Sequence, residues 1–392
     1  MLASVVTKEK LIATYIAMAM GCFGAYTLLL ALIPAIGLRN GLSPFEVGVL
    51  TATLTGFGLI TDLPLAHISR LYGSRIVVLC GAVLTAFACS LLYYVAIDVN
   101  VFINIPLLWT SAIIAATGFS CMIAPLLGGI ASHAQGAQVP IQALNSIAQR
   151  IGAFAASGFL GYLFASDDFS LGPVLALAIC VLIFGLARNV PAHLQVITNV
   201  SEDSGKFNLN GRARISDGVK RAILISISIQ FYLIAGYVFF PVVLENNGIA
   251  DSLGLSLTLR ELVAVISTAL IGTLFSRYSL PKIWATAAVF GLISMAVVPF
   301  LTDPVVVILV FSIHGVALGI GIMAGNVHTY FGTTPKSRIY GFAYVVMSTR
   351  LAGIVVPILL GGALEISKAM FSGALFLSLL LMLFLYLVVD RK

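Results

Sequence analysis

Five charged side chains interrupt long apolar runs of the sequence, where a charge is energetically expensive. They are Asp62, Arg150, Arg260, Glu261 and Arg350. A guanidinium at the centre of a membrane helix costs about 2.5–3.5 kcal/mol on insertion scales. Such residues face the interior of a helix bundle and pair with one another, so they indicate candidate functional sites. A guanidinium can hold a carboxylate or a phosphate through its fixed fork of donors.

Proton coupling would need a side chain that binds and releases a proton within the membrane. Asp62, Glu261 and His314 are the candidates, because carboxyl and imidazole groups titrate. His314 stands alone in the apolar stretch VFSIHGVALGIG, and a packing role is the favoured interpretation for it. Asp62 is the preferred proton carrier, since it lies deep in its span and close to a basic loop. That loop contains Arg70 and Arg75, which could gate access.

The elements that position these charges must be membrane helices. Hydrophobic residues make up 60% of the 392 positions and charged residues only 9%, whereas soluble domains carry about 25% charged residues. A bilayer core about 30 Å thick needs about 20 apolar residues per helix. Twelve runs of this kind are present, at about 11–37, 44–68, 75–97, 104–128, 140–164, 170–188, 221–243, 252–275, 282–301, 304–327, 339–363 and 369–389. We therefore predict an all-α membrane protein with twelve transmembrane helices, here called spans one to twelve.

The loop charges predict the orientation in the membrane. With the N-terminus in the cytoplasm, the outer loops hold only Arg39 and Lys368, and the inner side holds sixteen Lys or Arg residues. This distribution follows the positive-inside rule. It also accounts for the net charge of +6 without a nucleic-acid partner. We expect an integral protein of the lipid bilayer, in a bacterial inner membrane, with both termini cytoplasmic.

The sequence indicates a chain built from two similar halves. Residues 1–188 form the N-terminal six-helix half, residues 189–220 a polar cytoplasmic linker, and residues 221–392 the C-terminal six-helix half. SRLYGSRI (69–76) aligns with SRYSLPKI (276–283) at an offset of 207. At an offset of 200, Arg150 falls on Arg350 and Gly161 on Gly361. Two pseudo-symmetric six-helix bundles follow, and repeated transporters bind substrate at the interface between repeats.

The loop between spans two and three resembles a known signature. PLAHISRLYGSRIVV is similar to the G-x-x-x-D-R-x-G-R-R loop of the major facilitator superfamily. Gly73 and Arg75 match that pattern, and the departures are at Ala66, Arg70, Leu71 and Ser74. Span five contains RIGAFAASGFLGYL, which resembles the glycine-rich fifth-helix pattern prominent among exporters of the superfamily.

The resemblance implies which spans meet. In the superfamily, the second helix packs near the eleventh and the fifth near the eighth, across the interface between the halves. Asp62 would then face Arg350, and Glu261 would face Arg150. Alternatively, Arg150 and Arg350 could flank a cavity and bind an anionic substrate. Spans one, four, seven and ten usually line the path, and their polar or aromatic residues include Tyr26, Trp109, Gln230, Tyr232, Tyr237 and Asn326.

These observations predict a secondary active transporter that works by alternating access. Proton-coupled efflux of a small organic molecule, an antiport with the proton or another coupling ion, is the leading hypothesis. Uptake or exchange of a small organic anion held by Arg150 and Arg350 is the first alternative. A non-transporting membrane receptor or assembly factor is the second. The sequence contains neither a GxxxxGK[ST] motif nor a CxxC pair, so we expect no enzyme activity, no cofactor and no metal site.

Overall fold

The computed structural model describes residues 8–97, 101–133, 138–166, 168–190, 215–274, 279–333 and 338–389. Within these ranges the secondary structure is helical, with fourteen α-helices numbered here in chain order. They are α1 (Lys8–Arg39), α2 (Pro44–Gly56), α3 (Gly58–Tyr72), α4 (Ser74–Ile97), α5 (Val101–His133), α6 (Gln138–Ser166), α7 (Leu171–Ala187), α8 (Asp217–Ile234), α9 (Phe240–Asn246), α10 (Leu253–Leu274), α11 (Leu280–Val297), α12 (Pro304–Phe331), α13 (Arg338–Ile366) and α14 (Lys368–Val388).

These helices make up the twelve predicted spans. Ten stretches of the described chain are long and apolar enough to cross a membrane, and α7 is a shorter apolar helix of 17 residues. The helix α6, with 29 residues, supplies the fifth span. Spans two and seven each consist of two α-helices, α2 with α3 and α8 with α9. The prediction of an all-α protein with twelve membrane helices is therefore confirmed.

The helices that contain the two aligned arginines are α6 and α13. Arg150 lies in α6, described from Gln138 to Ser166, and Arg350 lies in α13, described from Arg338 to Ile366. Residues 134–137 and 334–337, just before these two helices, lie outside the described part of the chain. Of the predicted linker, residues 191–214 lie outside the described part of the chain. Its last residues belong to α8, which begins at Asp217 behind the N-cap Ser216.

Span two is interrupted in its middle. The helix α2 begins with a capping box, in which the Ser43 amide donates to Glu46 Oε2 (2.7 Å) and the Glu46 amide to Ser43 Oγ (3.3 Å). It ends at Gly56, and α3 starts at Gly58 after the single residue Phe57. A side chain at Gly56 would overlap Ile354 of α13. The interruption thus lies where another span presses against this one.

Span seven contains a π-helical segment, Ala235–Phe239, between α8 and α9. All five residues of this segment are buried. Pro241 follows at the start of α9, and its missing amide hydrogen cannot continue the ladder of hydrogen bonds. Single π-helical turns within α-helices are frequent at functional sites. This one carries Tyr237, a residue predicted to line the transport path.

The two halves pack closely at one end of the bundle. A Cβ atom on Gly161 of α6 would lie 2.5 Å from Cα of Gly254 in α10, and a Cβ on Gly361 of α13 would lie 2.5 Å from the carbonyl oxygen of Pro44. At the same end, the Phe45 amide donates to Glu365 Oε2 at 3.1 Å. Small residues allow such backbone contact between membrane helices. The halves are closed together at the end where α1 finishes, at Arg39.

The close packing gives a stability prediction with a control on the same helix. We expect Gly161→Ala to destabilise the protein by about 1–3 kcal/mol, since the added methyl group cannot fit beside Gly254. Gly158→Ala should have little effect, because its Cβ would meet only Thr258 Oγ1, at 3.8 Å. Unfolding of the two variants in mixed micelles, followed by circular dichroism against added SDS, measures the difference. Equal stability of the two variants would contradict the close contact.

Candidate functional site

The first buried ion pair joins span two to span eleven. Arg350 of α13 donates from Nε to Asp62 Oδ2 at 3.1 Å, and the two residues are only 7% and 8% exposed. Its remaining nitrogens donate to the Thr55 carbonyl (Nη1, 3.2 Å) and to Ser120 Oγ (Nη2, 3.2 Å). The guanidinium therefore has partners on α2, α3 and α5, all in the N-terminal half.

The interrupted span makes room for this guanidinium. A Cβ on Gly58, the first residue of α3, would lie 2.6 Å from both Cζ and Nε of Arg350. Thr55, which supplies the accepting carbonyl, is in the last turn of α2. Its side-chain hydroxyl also donates across the interface, to the Gly353 carbonyl of α13. The helix break and the arginine are thus parts of one arrangement.

The second buried ion pair joins span five to span eight. Arg150 of α6 donates from Nη1 to Glu261 Oε2 of α10 at 3.0 Å. Glu261 is fully buried and Arg150 is 3% exposed. The other carboxylate oxygen, Oε1, accepts from Arg260 Nη2 (2.8 Å) and from the Tyr237 hydroxyl (2.7 Å). The Glu261 carboxylate therefore accepts hydrogen bonds from two guanidinium groups and a phenol.

Tyr237 connects this cluster to both halves. Its hydroxyl lies 2.9 Å from Ser157 Oγ of α6, and the guanidinium carbon of Arg260 lies 4.1 Å from the centre of its ring. A cation over an aromatic face is attracted by the ring quadrupole. The side chain of Arg260 fits because residue 236 is glycine, where a Cβ atom would overlap Nη1. We call Arg150, Ser157, Tyr237, Arg260 and Glu261 the arginine cluster.

Both crossed contacts predicted from the sequence are therefore present in the structure. Each joins an acid and an arginine from opposite halves: Asp62 with Arg350, and Glu261 with Arg150. The roles assigned to these residues in gating, proton coupling or substrate binding remain predictions. Chemically, the arrangement can hold the halves together while both carboxylates are ionised. Protonation of either carboxylate would weaken its pair.

The predicted path-lining residues lie in different surroundings. Tyr237 belongs to the arginine cluster, and Asn326 Nδ2 donates to Ser146 Oγ across the halves at 3.0 Å. The half-buried ring of Tyr26 packs edge-to-face on Phe119, with centroids 5.1 Å apart. Three further residues are buried or partly buried. Trp109 is half-buried against the hydrophobic core, Gln230 is 7% exposed, and Tyr232 is 1% exposed.

His314 is buried in the C-terminal half, with its ring 5.1 Å from that of Tyr232 and 6.5 Å from that of Phe311. Within the described part of the chain, neither ring nitrogen of His314 has a hydrogen-bond partner. Both the packing role and the proton-coupling role remain predictions for it.

The signature loop has the tight turn that its glycine suggests. Gly73 ends α3 with φ of +90°, a conformation that glycine adopts without strain. Arg75 Nη1 lies 3.5 Å from the Val190 carbonyl, just after α7. The side chain of Arg70 lies outside what the structure describes. A gating role for either arginine stays a prediction.

Several residues of the site were not identified from the sequence. Ser120 and the Thr55 carbonyl contact Arg350, and Ser157 contacts the Tyr237 hydroxyl. Gly58 and Gly236 make space for the guanidinium groups. Serine, threonine and glycine are common in membrane helices for reasons of packing alone. The available signal in the sequence was Gly236, one residue before Tyr237, and Gly58, four residues before Asp62. These glycines can be assigned to the site only when the arginine that packs against each of them is known.

The Asp62–Arg350 contact gives a prediction about coupling. Asp62→Asn and Arg350→Gln should each lower the free energy of unfolding, because removing one member of a buried pair typically costs about 3–5 kcal/mol. The double variant should lose less than the sum of the two, with a coupling of about 1–3 kcal/mol. Asp62→Asn combined with Asn326→Ala is the control and should be additive. SDS titrations of the six proteins measure both cycles, and additivity in the first would contradict the pair.

Comparison with known proteins agrees with this architecture. The sequence profile of the Major Facilitator Superfamily matches residues 14–349. No curated protein sequence matches the chain. Among solved structures, the nucleoside transporter NupG is 13% identical, with 97% of this chain and 99% of that one covered and a TM-score of 0.69. A point mutant of the same transporter is 14% identical at the same coverage, with a TM-score of 0.70.

A D-xylose–proton symporter is also similar in structure. It is 15% identical, with 97% of each chain covered and a TM-score of 0.73. At such low identity these structures establish a shared fold and nothing finer. The match to the superfamily profile covers most of the sequence, and the twelve spans and two halves agree with it. The chain belongs to the major facilitator superfamily.

Proposed function

We propose that this transporter of small molecules moves a small organic molecule by alternating access and is driven by protons. We further propose that the two buried ion pairs are the latch between its halves. The observation that carries the proposal is that both pairs cross the interface and are nearly or fully buried. In the proposed cycle, rocking of one half against the other separates them.

Protons are a suitable trigger for such a latch. A carboxylate whose arginine moves away is left as an isolated charge in a medium of low dielectric constant, which is very unfavourable. Binding a proton neutralises it, so movement of the halves and protonation favour each other. Asp62 and Glu261 are the proposed proton carriers. Asp62 Oδ1 is buried without a hydrogen-bond partner among the described residues, and a proton there could donate to a new acceptor.

The present contacts favour a latch over the anion site expected at Arg150 and Arg350. Arg350 donates to three acceptors of the N-terminal half, and Arg150 donates to Glu261. Donors that are occupied in this way are not available to a substrate in this conformation. A receptor or assembly factor without transport would have no need to break these pairs, and the assay below tests that alternative too.

The orientation expected from the loop charges indicates toward which side of the membrane the transporter is closed. The end at which the halves are closed carries Arg39 and Lys368, which the positive-inside rule places outside. Both chain termini, which we propose to be cytoplasmic, then lie at the opposite end. We infer that the structure represents a state closed toward the outside, in a bacterial inner membrane.

The direction of transport has two candidates. The glycine-rich fifth helix favours efflux by proton antiport, as expected from the sequence. Symport is the second candidate, and the observation in its favour is the structural similarity to a D-xylose–proton symporter. In both cases one proton carrier is released from its arginine during the cycle.

Reconstitution into liposomes that contain a pH-sensitive dye tests the proposal. The probes are nucleosides, sugars, organic anions and hydrophobic cations, each added against an imposed pH gradient. Substrate-dependent proton movement in the same direction as the substrate indicates symport, and movement in the opposite direction indicates efflux by antiport. No proton movement with any probe, together with a co-purifying protein partner, would support the assembly-factor alternative.

Variants connect the transport to the latch. We expect Asp62→Asn and Glu261→Gln to reduce proton-driven transport at least about tenfold, which corresponds to about 1.4 kcal/mol of lost coupling. Exchange of labelled substrate without a pH gradient should survive better than net transport. The control is Asp251→Asn, which removes an exposed carboxylate beside α10 and should be neutral. Full proton coupling in both latch variants would contradict the proposal.

A further inference from the structure

The buried charges of the described chain do not balance. Asp62 and Arg350 form one pair, but in the arginine cluster Arg150 and Arg260 share the single carboxylate of Glu261. Tyr237 does not supply the missing negative charge, because its hydroxyl keeps its proton and donates a hydrogen bond to Glu261 Oε1. The cluster therefore keeps one positive charge in surroundings from which water is excluded. Uncompensated buried charges are strongly unfavourable.

Hydrogen-bond donors without partners occur at the same place. Among the described residues, Arg260 Nε and Nη1 and Arg150 Nε are buried and lack an acceptor. Arg260 is 0% exposed. Its Nη2 donates to Glu261. A guanidinium has five N–H donors, and those on Nε and Nη1 remain without an acceptor. Buried polar groups in proteins are nearly always hydrogen-bonded, and a guanidinium can only donate. What is missing is an acceptor.

His314 lies against the same spot from α12. A Cβ atom built on Gly236 would overlap Arg260 Nη1 and would lie 3.6 Å from His314 Cε1. The guanidinium and the imidazole are therefore neighbours beside this glycine. Both ring nitrogens of His314 lack a partner within the described residues, and the side chain is 1% exposed. An imidazole can donate one hydrogen bond when neutral and two when charged.

We propose that Arg260 and His314 form an anion-binding site in the C-terminal half, and that its ligand is a single monovalent anionic group. The site fits one negative charge, because one would neutralise the cluster, whereas a divalent anion would be repelled by Glu261. The group is either the carboxylate of a transported organic acid or a free inorganic anion such as chloride. The carboxylate case rests on the proposed transport function, and the inorganic case does not.

The site differs from the anion site expected at the symmetric arginines. It uses Arg260, which lies one residue before Glu261 and has no aligned arginine in the N-terminal half: at the offset of 207 that relates spans two and eight, the matching residue is Thr53. Arg260 is about 10 Å along α10 from its first residue, Leu253, at 1.5 Å per residue. The anion would thus bind beside Glu261. Together with the Glu261 carboxylate, it would neutralise the positive charges of Arg150 and Arg260.

Anion binding to the purified full-length protein tests the proposal. The protein is held in a buffer whose only other anion is sulfate, and chloride, bromide, formate, acetate and benzoate are titrated separately. Thermal unfolding and calorimetry report the affinity, because a ligand of the native state raises the melting temperature in a saturable way. We expect saturable binding of at least one monovalent anion and none of sulfate. Absence of saturable binding by every probe would overturn the proposal.

Variants at the site move the affinity in opposite directions. Arg260→Gln should weaken anion binding at least tenfold, and His314→Gln should weaken it less. Glu261→Gln should strengthen it, since the cluster then carries two positive charges and no repelling carboxylate. Arg188→Gln is the matched control, because Arg188 is exposed near Phe184 at the end of α7 and should leave the affinity unchanged. Unchanged affinity in Arg260→Gln, or weaker binding in Glu261→Gln, would contradict the site.

Two further measurements separate the possible outcomes. If Arg260→Gln does not fold, Arg260→Lys keeps the charge but loses the fork of donors, and it should still bind more weakly than the natural protein. Binding of chloride and bromide alone assigns the site to an inorganic anion, and binding of carboxylates with counterflow of the same compound assigns it to the substrate. Asp62→Asn should retain anion binding even where it abolishes proton coupling, so a failure of the proposed function can be distinguished from a failure of this site.

Discussion

The whole structure depends on the cost of a charge in an apolar medium. Lipid offers no water to solvate a guanidinium, so a buried arginine needs acceptors from the protein or from a bound ligand. For Arg350 and Arg150 those acceptors come from the opposite half: Asp62, Ser120 and a main-chain carbonyl for Arg350, and Glu261 for Arg150. The same requirement explains why glycines stand beside the arginines. A larger residue at position 58 or 236 would occupy the space of the guanidinium.

The two ion pairs are related by the repeat but are not copies of each other. Arg150 and Arg350 align at the offset of 200 and lie in α6 and α13. Their acids do not align. Glu261 lies in the continuous helix α10, whereas Asp62 lies in α3, after a helix break that also frees a carbonyl for Arg350. The two arginines thus align with each other, whereas each half neutralises the arginine of the other half in a different way.

The spans, the two halves and the ion pairs could be predicted from the sequence, because lipid restricts a chain to long apolar helices and requires buried charges to be paired. Apolar length predicted the twelve spans, and the offset of 200 predicted the two halves. The pairing of Asp62 with Arg350 and of Glu261 with Arg150 followed from the resemblance to the superfamily, together with the small number of charges available. The breaks in spans two and seven could not be predicted, since Gly56, Gly58 and Gly236 look like ordinary packing residues. Their meaning depends on Ile354, Arg350 and Arg260, which are distant in sequence.

The interruption of span two at Phe57 divides the attachments of one membrane segment. On one side of it, α2 lies in backbone contact with α13, so that Gly48 meets the Pro357 carbonyl. On the other side, α3 packs on α4 and α5 of its own half. Arg350 bridges the division, since it binds Thr55 before the break and Asp62 after it. One part of a single span is thus in close contact with the opposite half, the other part packs mainly on its own half, and the same arginine holds both parts.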